Sequence, residues 1–111
     1  MAKLKIEFTH LFEKELKALN KKYPFIIEDL WILNISLMKD PDKGEPLGKD
    51  CYKIRLKISS KVKGKSSGPR IIICVKLIKD TIFLISIYDK SERQNITSKE
   101  LIVILKQAGL S

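Results

Sequence analysis

Histidine is almost missing from this 111-residue chain, His10 being the only one. A histidine pair sharing acid and base work between two imidazoles is therefore excluded. His10 follows Thr9 where a helix is expected to start and reads as a capping-region residue rather than a catalytic one. Cysteine is also scarce. Cys51 and Cys74 have no CxxC spacing and no histidine nearby, so zinc is unsupported. A disulfide is not expected in a reducing compartment, and both read as small apolar residues. There is no GxSxG, no Walker-type or dinucleotide-type glycine pattern and no internal repeat. No apolar run approaches the roughly 20 residues that span a bilayer. The first residues carry Lys3, Lys5 and Glu7 where a signal peptide would be apolar. The expectation is one cytoplasmic domain over residues 1–111, without a membrane, a metal or a cofactor.

Acidic residues are missing from one place in particular. Residues 49–79 hold ten Lys or Arg against the single acid Asp50, whereas the rest of the chain balances twelve basic residues against twelve acidic ones. The whole net charge of +9 thus lies in one stretch. Such a concentration favours a polyanion and makes its binding salt-dependent. The alternative is a solvated, solubilising surface, which normally scatters its lysines.

Periodicity divides the chain into seven elements. Leu4, Ile6 and Phe8 alternate with Lys3, Lys5 and Glu7, predicting a strand over Lys3–Phe8. Thr9 caps a helix from His10 to about Lys22, with Phe12, Leu16 and Leu19 on its apolar side. Pro24 suits the first turn of a second helix in which Ile26, Leu30, Leu33 and Leu37 recur at helical intervals. Residues 40–48, rich in Pro, Gly and Asp, read as a loop. Tyr52–Ile58 predicts a strand with Tyr52, Ile54, Leu56 and Ile58 on one face and Lys53, Arg55 and Lys57 on the other. Arg70–Ile78 and Thr81–Tyr88 are apolar on both faces, as central strands are, and the Lys79-Asp80 link makes them a hairpin. Thr97 or Ser98 caps a last helix carrying Leu101, Ile104 and Leu105, with Gly109 as its stop. The fold class is α+β: a small, mainly antiparallel sheet with an N-terminal helical pair and a C-terminal helix, in the order β-α-α-β-β-β-α.

The chemistry available is cationic. Lys53, Arg55 and Lys57 share a strand face, and an antiparallel neighbour can bring Arg70 close to them at the mouth of loop 59–68. That loop carries Lys61, Lys63 and Lys65 among Ser and Gly and is a candidate to close over a nucleic-acid strand, or an idle hydrated connection. An arginine fork grips two phosphate oxygens and steadies charge growing on a pentacoordinate phosphorus. A lysine among other cations can exchange a proton near neutrality, which makes Lys53 and Lys90 candidates for proton transfer. Plain phosphate contact is the alternative role for each.

These residues also carry a resemblance. Cys51-Tyr52-Lys53-Ile54-Arg55-Leu56, Gly64-Lys65-Ser66-Ser67-Gly68-Pro69-Arg70-Ile71-Ile72, Ile85-Ser86-Ile87-Tyr88-Asp89-Lys90-Ser91-Glu92-Arg93, Ile96-Thr97 and Glu100-Leu101 together resemble the RelE/ParE toxin superfamily, nearest its HigB-like branch. The resemblance implies a RelE-like microbial ribonuclease architecture. It further implies a type II toxin–antitoxin toxin that enters the ribosomal A site and cleaves mRNA without metal, by attack of a ribose 2′-hydroxyl on the adjacent phosphate. The implied partners are mRNA, the ribosome and a cognate antitoxin, the last in a toxin–antitoxin hetero-oligomer. Carried over by position, the implied catalytic set is Lys53, Arg55, Arg70 and Lys90. Arg55 and Arg70 would stabilise phosphate charge, Lys53 would assist deprotonation, and Lys90 would position RNA or protonate the leaving oxygen. Lys57, Lys61, Lys63, Lys65, Tyr88 and Arg93 complete the implied RNA contacts. Where some relatives have a substrate-orienting C-terminal tyrosine, this chain reads Asn95-Ile96-Thr97, so that function is absent or falls to Tyr88. A ParE-like gyrase inhibitor and a non-catalytic RNA- or ribosome-binding relative are the alternatives.

Overall fold

Thr9 ends a strand and starts a helix. Its backbone N–H donates to Leu84 O at 3.1 Å, its hydroxyl reaches Leu84 O and Ile85 O, and the same hydroxyl accepts from the Phe12 N–H at 3.2 Å. The computed structural model describes residues 4–58, 68–76, 79–93 and 95–110. Within them β1 is Lys5–Phe8, α1 is His10–Asn20, α2 is Ile26–Lys39, β2 is Glu45–Gly48, β3 is Cys51–Arg55, β4 is Pro69–Lys76, β5 is Thr81–Asp89 and α3 is Ser98–Gln107. The five strands form one sheet in the order β1-β5-β4-β3-β2, antiparallel except where β1 runs parallel to β5. No described helix is long and apolar enough to cross a membrane.

The expected α+β class holds, while the element order gains one strand and several bounds move. Residues 40–48 are not wholly loop, because Glu45–Gly48 pairs with β3 as an edge strand. Pro46 and Gly48 hide it from a sequence reading, since neither suits a central strand, but an edge tolerates a missing N–H. The hairpin turns on Lys49 and Asp50, both left-handed at φ 54° and 63°, the geometry that matches strand twist in a two-residue turn. β3 ends at Arg55 rather than Ile58. α1 ends at Asn20 rather than Lys22, and α2 begins at Ile26 rather than at Pro24. The expectations for Lys3, for most of loop 59–68 and for 77–78 lie outside the described residues.

The sheet is covered on both faces. Phe12, Leu16, Ile26, Leu30 and Leu37 of α1 and α2 bury one side against Ile54, Ile71, Ile73, Leu84 and Ile87. Leu101 and Leu105 of α3 bury part of the other against Cys51, Ile72, Cys74 and Ile85. Cys51 and Cys74 face each other in register and are buried, so the apolar reading of both suits their surroundings. A bulge in β5 at Ile85, where Ile72 pairs with Ser86 and Ile73 with Leu84, directs the next polar groups to α1. Glu15 Oε1 accepts there from Ser86 Oγ at 2.8 Å and from the Ile87 N–H at 3.1 Å.

Thr97, not Ser98, caps α3. Its hydroxyl accepts from the Glu100 N–H at 3.1 Å, and the Glu100 carboxylate accepts from the Thr97 N–H at 2.8 Å, a reciprocal capping box. Thr97→Ala is expected to cost about 1 kcal/mol in urea unfolding, while Thr97→Ser leaves stability nearly unchanged.

Candidate nucleic-acid interface

Register puts the arginines together. Arg55 of β3 lies directly opposite Arg70 of β4, which lies directly opposite Tyr88 of β5. The Leu56 N–H donates to Pro69 O at 3.1 Å and the Val75 N–H to Asp50 O at 2.9 Å, so the facing pairs between them, Arg55 with Arg70 and Cys51 with Cys74, are non-hydrogen-bonded pairs. Side chains approach most closely at such positions, and like charges placed opposite one another there are unfavourable. Arg55 is exposed, whereas Arg70 is only 6% exposed and donates from Nη1 to Gly68 O at 3.2 Å. Burial, and then the Arg55 charge, push the Arg70 pKa down, with Tyr88 and Asp89 acting in the opposite direction. An anion set against this row removes the like-charge cost. The row thus sets two guanidinium groups side by side at one end of the sheet.

One step along the same face, Lys53 stands beside Ile72 and opposite Glu45 of β2. Its ammonium donates to Asn95 Oδ1 at 3.0 Å and pairs with Glu45 Oε1 at 3.5 Å. Gly44 keeps this corner tight: at φ 105° any Cβ would lie 2.7 Å from Lys53 O and from Ile54 Cγ1. Tyr88 is buried, and among the described residues its hydroxyl has no hydrogen-bond partner. The Arg93 guanidinium lies 5.6 Å from its ring centroid and pairs with Glu100 at the start of α3. Burial pushes the Tyr88 phenol pKa up against the pull of Arg70 and Arg93, while Glu45 and Glu100 push it further up.

Asp89 closes the end of the row. Its carboxylate, wholly buried, accepts from Lys22 Nζ at 2.6 Å, Tyr23 OH at 2.9 Å, the Ser91 N–H at 3.0 Å and Ser91 Oγ at 2.9 Å. Burial alone would raise its pKa, but these donors outweigh it and hold the value at about 2. The Glu92 and Arg93 N–H groups donate to Asp89 O, and the Lys90 N–H donates to Gly68 O at 2.9 Å. The turn bearing Lys90 and Arg93 is thereby fixed beside the residue that precedes β4.

The structure therefore brings Lys53, Arg55, Arg70, Tyr88 and Arg93 onto one end of one sheet face and sets Lys90 at its edge. Lys57 is exposed just beyond β3. Lys61, Lys63 and Lys65 lie outside the described residues. Glu45, Asn95 and Glu100 join the cluster without having been singled out as site residues. Glu45 sits in a Pro- and Gly-bearing segment with no strand periodicity, so no local signal could place it opposite Lys53. Among the described residues no group of three or more His, Cys, Asp or Glu could hold a metal ion.

A family model described as the RelE toxin of the RelE/RelB toxin–antitoxin system matches residues 28–110. No curated protein sequence matches significantly. The structure is similar to that of an Escherichia coli RelE toxin with two arginine-to-alanine substitutions in the free state, at 24% identity and a TM-score of 0.60, covering 96% of this chain and 98% of that one. The intact Escherichia coli RelBE toxin–antitoxin complex contains a chain 27% identical, with a TM-score of 0.57 over 78% of this chain and 94% of that one. A metal-bound toxin from Helicobacter pylori aligns at 24% identity and a TM-score of 0.51, over 81% of this chain and 98% of that one.

Proposed function

This chain belongs to the RelE toxin family of toxin–antitoxin systems, and from that premise we propose that it is an endoribonuclease that cuts mRNA in the ribosomal A site of the cytoplasm and so arrests translation. The observation that carries the proposal is the Arg55–Arg70–Tyr88 row, two guanidinium groups in facing register beside a buried phenol. A surface evolved only for solubility gains nothing from an arginine buried opposite another.

In the proposed reaction the 2′-oxygen of a ribose attacks the adjacent phosphorus and the bond to the 5′-oxygen breaks, leaving a 2′,3′-cyclic phosphate and a 5′-hydroxyl. Arg70 and Arg55 hold the non-bridging oxygens as negative charge grows on them. Lys53 assists deprotonation by steadying the emerging 2′-oxyanion, and the Glu45 carboxylate at its ammonium receives the proton. Lys90 protonates the departing 5′-oxygen. Arg93, held over the buried Tyr88 ring, binds the neighbouring nucleotide, and Lys57, Lys61, Lys63 and Lys65 follow the backbone. No step in this scheme calls on a metal ion, since the cations of the row supply the charge stabilisation.

The test is to add the purified chain to a translating extract and map mRNA ends by primer extension. New 5′ ends at the A-site codon, with little cutting of naked RNA, are the expected outcome. Translation arrest without new ends, or inhibition of gyrase without ribosomes, overturns the proposal.

A further inference from the structure

Cys51 and Cys74 are the chain's two cysteines, and the sheet sets them opposite each other. They form a non-hydrogen-bonded pair of β3 and β4, the first 1% exposed and the second wholly buried. At such a pair the Cα atoms stand about 4.5 Å apart, and the two side chains leave the same face of the sheet. A disulfide spans Cα separations of roughly 4.4–6.8 Å. The bond can thus close with little movement of either strand.

The two sulfurs are unequal. Cys51 keeps its proton, which is attracted both by Lys49 O, 3.4 Å from Cys51 Sγ, and by the Cys74 sulfur. That hydrogen bond, aided by the Lys76 charge, pulls the Cys74 pKa down against burial and Asp50. The same bond and burial push the Cys51 pKa up. A sulfur with thiolate character is a nucleophile, and here its resolving thiol stands beside it. A cavity of about 350 Å³ opens at this end of the hairpin. Lys49, Asp50, Lys76 and Lys106 line its polar side, with Lys76 paired to Asp50 at 3.7 Å, and Leu105 and Leu110 line its apolar side. The same two leucines pack in one cluster with Cys51 and Cys74. The end of α3 is therefore the cover between the cavity and the sulfurs, and chain ends open locally at small free-energy cost.

We propose that Cys51 and Cys74 are an oxidative modification site: a small hydroperoxide admitted through this cavity oxidises Cys74, and Cys51 then closes a disulfide that clips β3 to β4. In the first step the Cys74 sulfur attacks one peroxide oxygen and the O–O bond breaks. Cys74 becomes a sulfenic acid, and the departing hydroxide takes up the proton that Cys74 gave up, forming water. In the second step the Cys51 sulfur attacks the Cys74 sulfur and the S–O bond breaks, so that hydroxide leaves with the Cys51 proton as a second water. The two thiols lose two electrons and the hydroperoxide gains them. At rest the pair is a dithiol, as a reducing compartment requires, and the bond forms only under oxidant. The clip lies on the same sheet face as Arg55 and Arg70, two facing same-face pairs away, or about 13 Å along the strands. It therefore locks the register that keeps the two arginines opposite each other.

The test exposes the reduced full chain to hydrogen peroxide at neutral pH, then unfolds it, alkylates it and weighs it. The expected product has lost about 2 Da, takes up no alkylating agent and yields a Cys51–Cys74 linked peptide that dithiothreitol parts. Its melting temperature is expected to rise by roughly 10 °C, because the bond closes residues 51–74 into a loop in the unfolded chain. Cys51→Ala is expected to gain one oxygen at Cys74, about 16 Da, which a sulfenic-acid probe traps. Cys51→Val, nearer in volume, gives the same readout if the alanine variant folds poorly. Thiols of the parent that stay free under peroxide until urea unfolds the chain overturn the inference. So do a Cys74 carrying two or three oxygens without a disulfide, bonds that form only between chains, and a disulfide that leaves the melting temperature unchanged. None of these readouts involves mRNA, so their failure leaves the nuclease reading untouched.

Discussion

Arg70→Ala is expected to slow A-site mRNA cleavage by about 10²–10³-fold, the usual consequence of removing one preorganised donor from developing oxyanion charge. Arg70→Lys should recover part of the loss, because it restores the charge without the two-pronged fork. Arg70→Met, which retains much of the buried stem, is expected to stay folded while being inactive, which separates loss of the guanidinium from loss of the fold. Single-turnover cleavage and thermal unfolding, measured on the same preparations, check both halves. Undiminished cleavage by Arg70→Ala rules out the proposed active site.

Asp89→Ala is expected to produce the largest loss of stability, about 3 kcal/mol, equivalent to a fall in melting temperature of roughly 10 °C or more. Four donors converge on its buried carboxylate, and removing it leaves Lys22, Tyr23 and the Ser91 N–H without that partner. Its folded pKa of about 2 lies below the ordinary 3.8. Ionised Asp89 therefore contributes about 2 kcal/mol above pH 3.8, and this contribution is lost as pH falls from 3.8 to about 2. Urea unfolding of the parent should weaken across that interval, and Asp89→Asn should show a smaller decline over the same range. Cleavage should fall with stability, because the backbone of Asp89 also fixes the turn carrying Lys90 and Arg93. An Asp89→Ala protein as stable as the parent at neutral pH contradicts this account.

Asp89 also illustrates what a sequence does not disclose. It follows an apolar strand and precedes a lysine, which makes it resemble any turn-forming acid. Its donors come from 66 and 67 residues away at Tyr23 and Lys22. Glu45 was equally hidden, since its segment has a proline and a glycine where strand periodicity would need donors and side chains. The α2 helix was half legible. Its inward stripe at Ile26, Leu30, Leu33 and Leu37 is plain from spacing, but the spacing of Trp31, Ile35 and Met38 does not reveal that nothing in the described structure covers them.

The sequence by itself determined the local structure and the chemical inventory. Thr9 and Thr97 caps, the alternation through Lys53 and Arg55, the two apolar central strands and the confinement of +9 to residues 49–79 depend on neighbours a few residues apart. Only the tertiary structure decided which of those cations meet. Facing positions in a sheet are set by register between distant strands, and slipping one residue would turn Arg55 or Arg70 to the other face. Local periodicity identifies the faces, but cross-strand pairing and helix packing decide what lies opposite each residue and what remains uncovered.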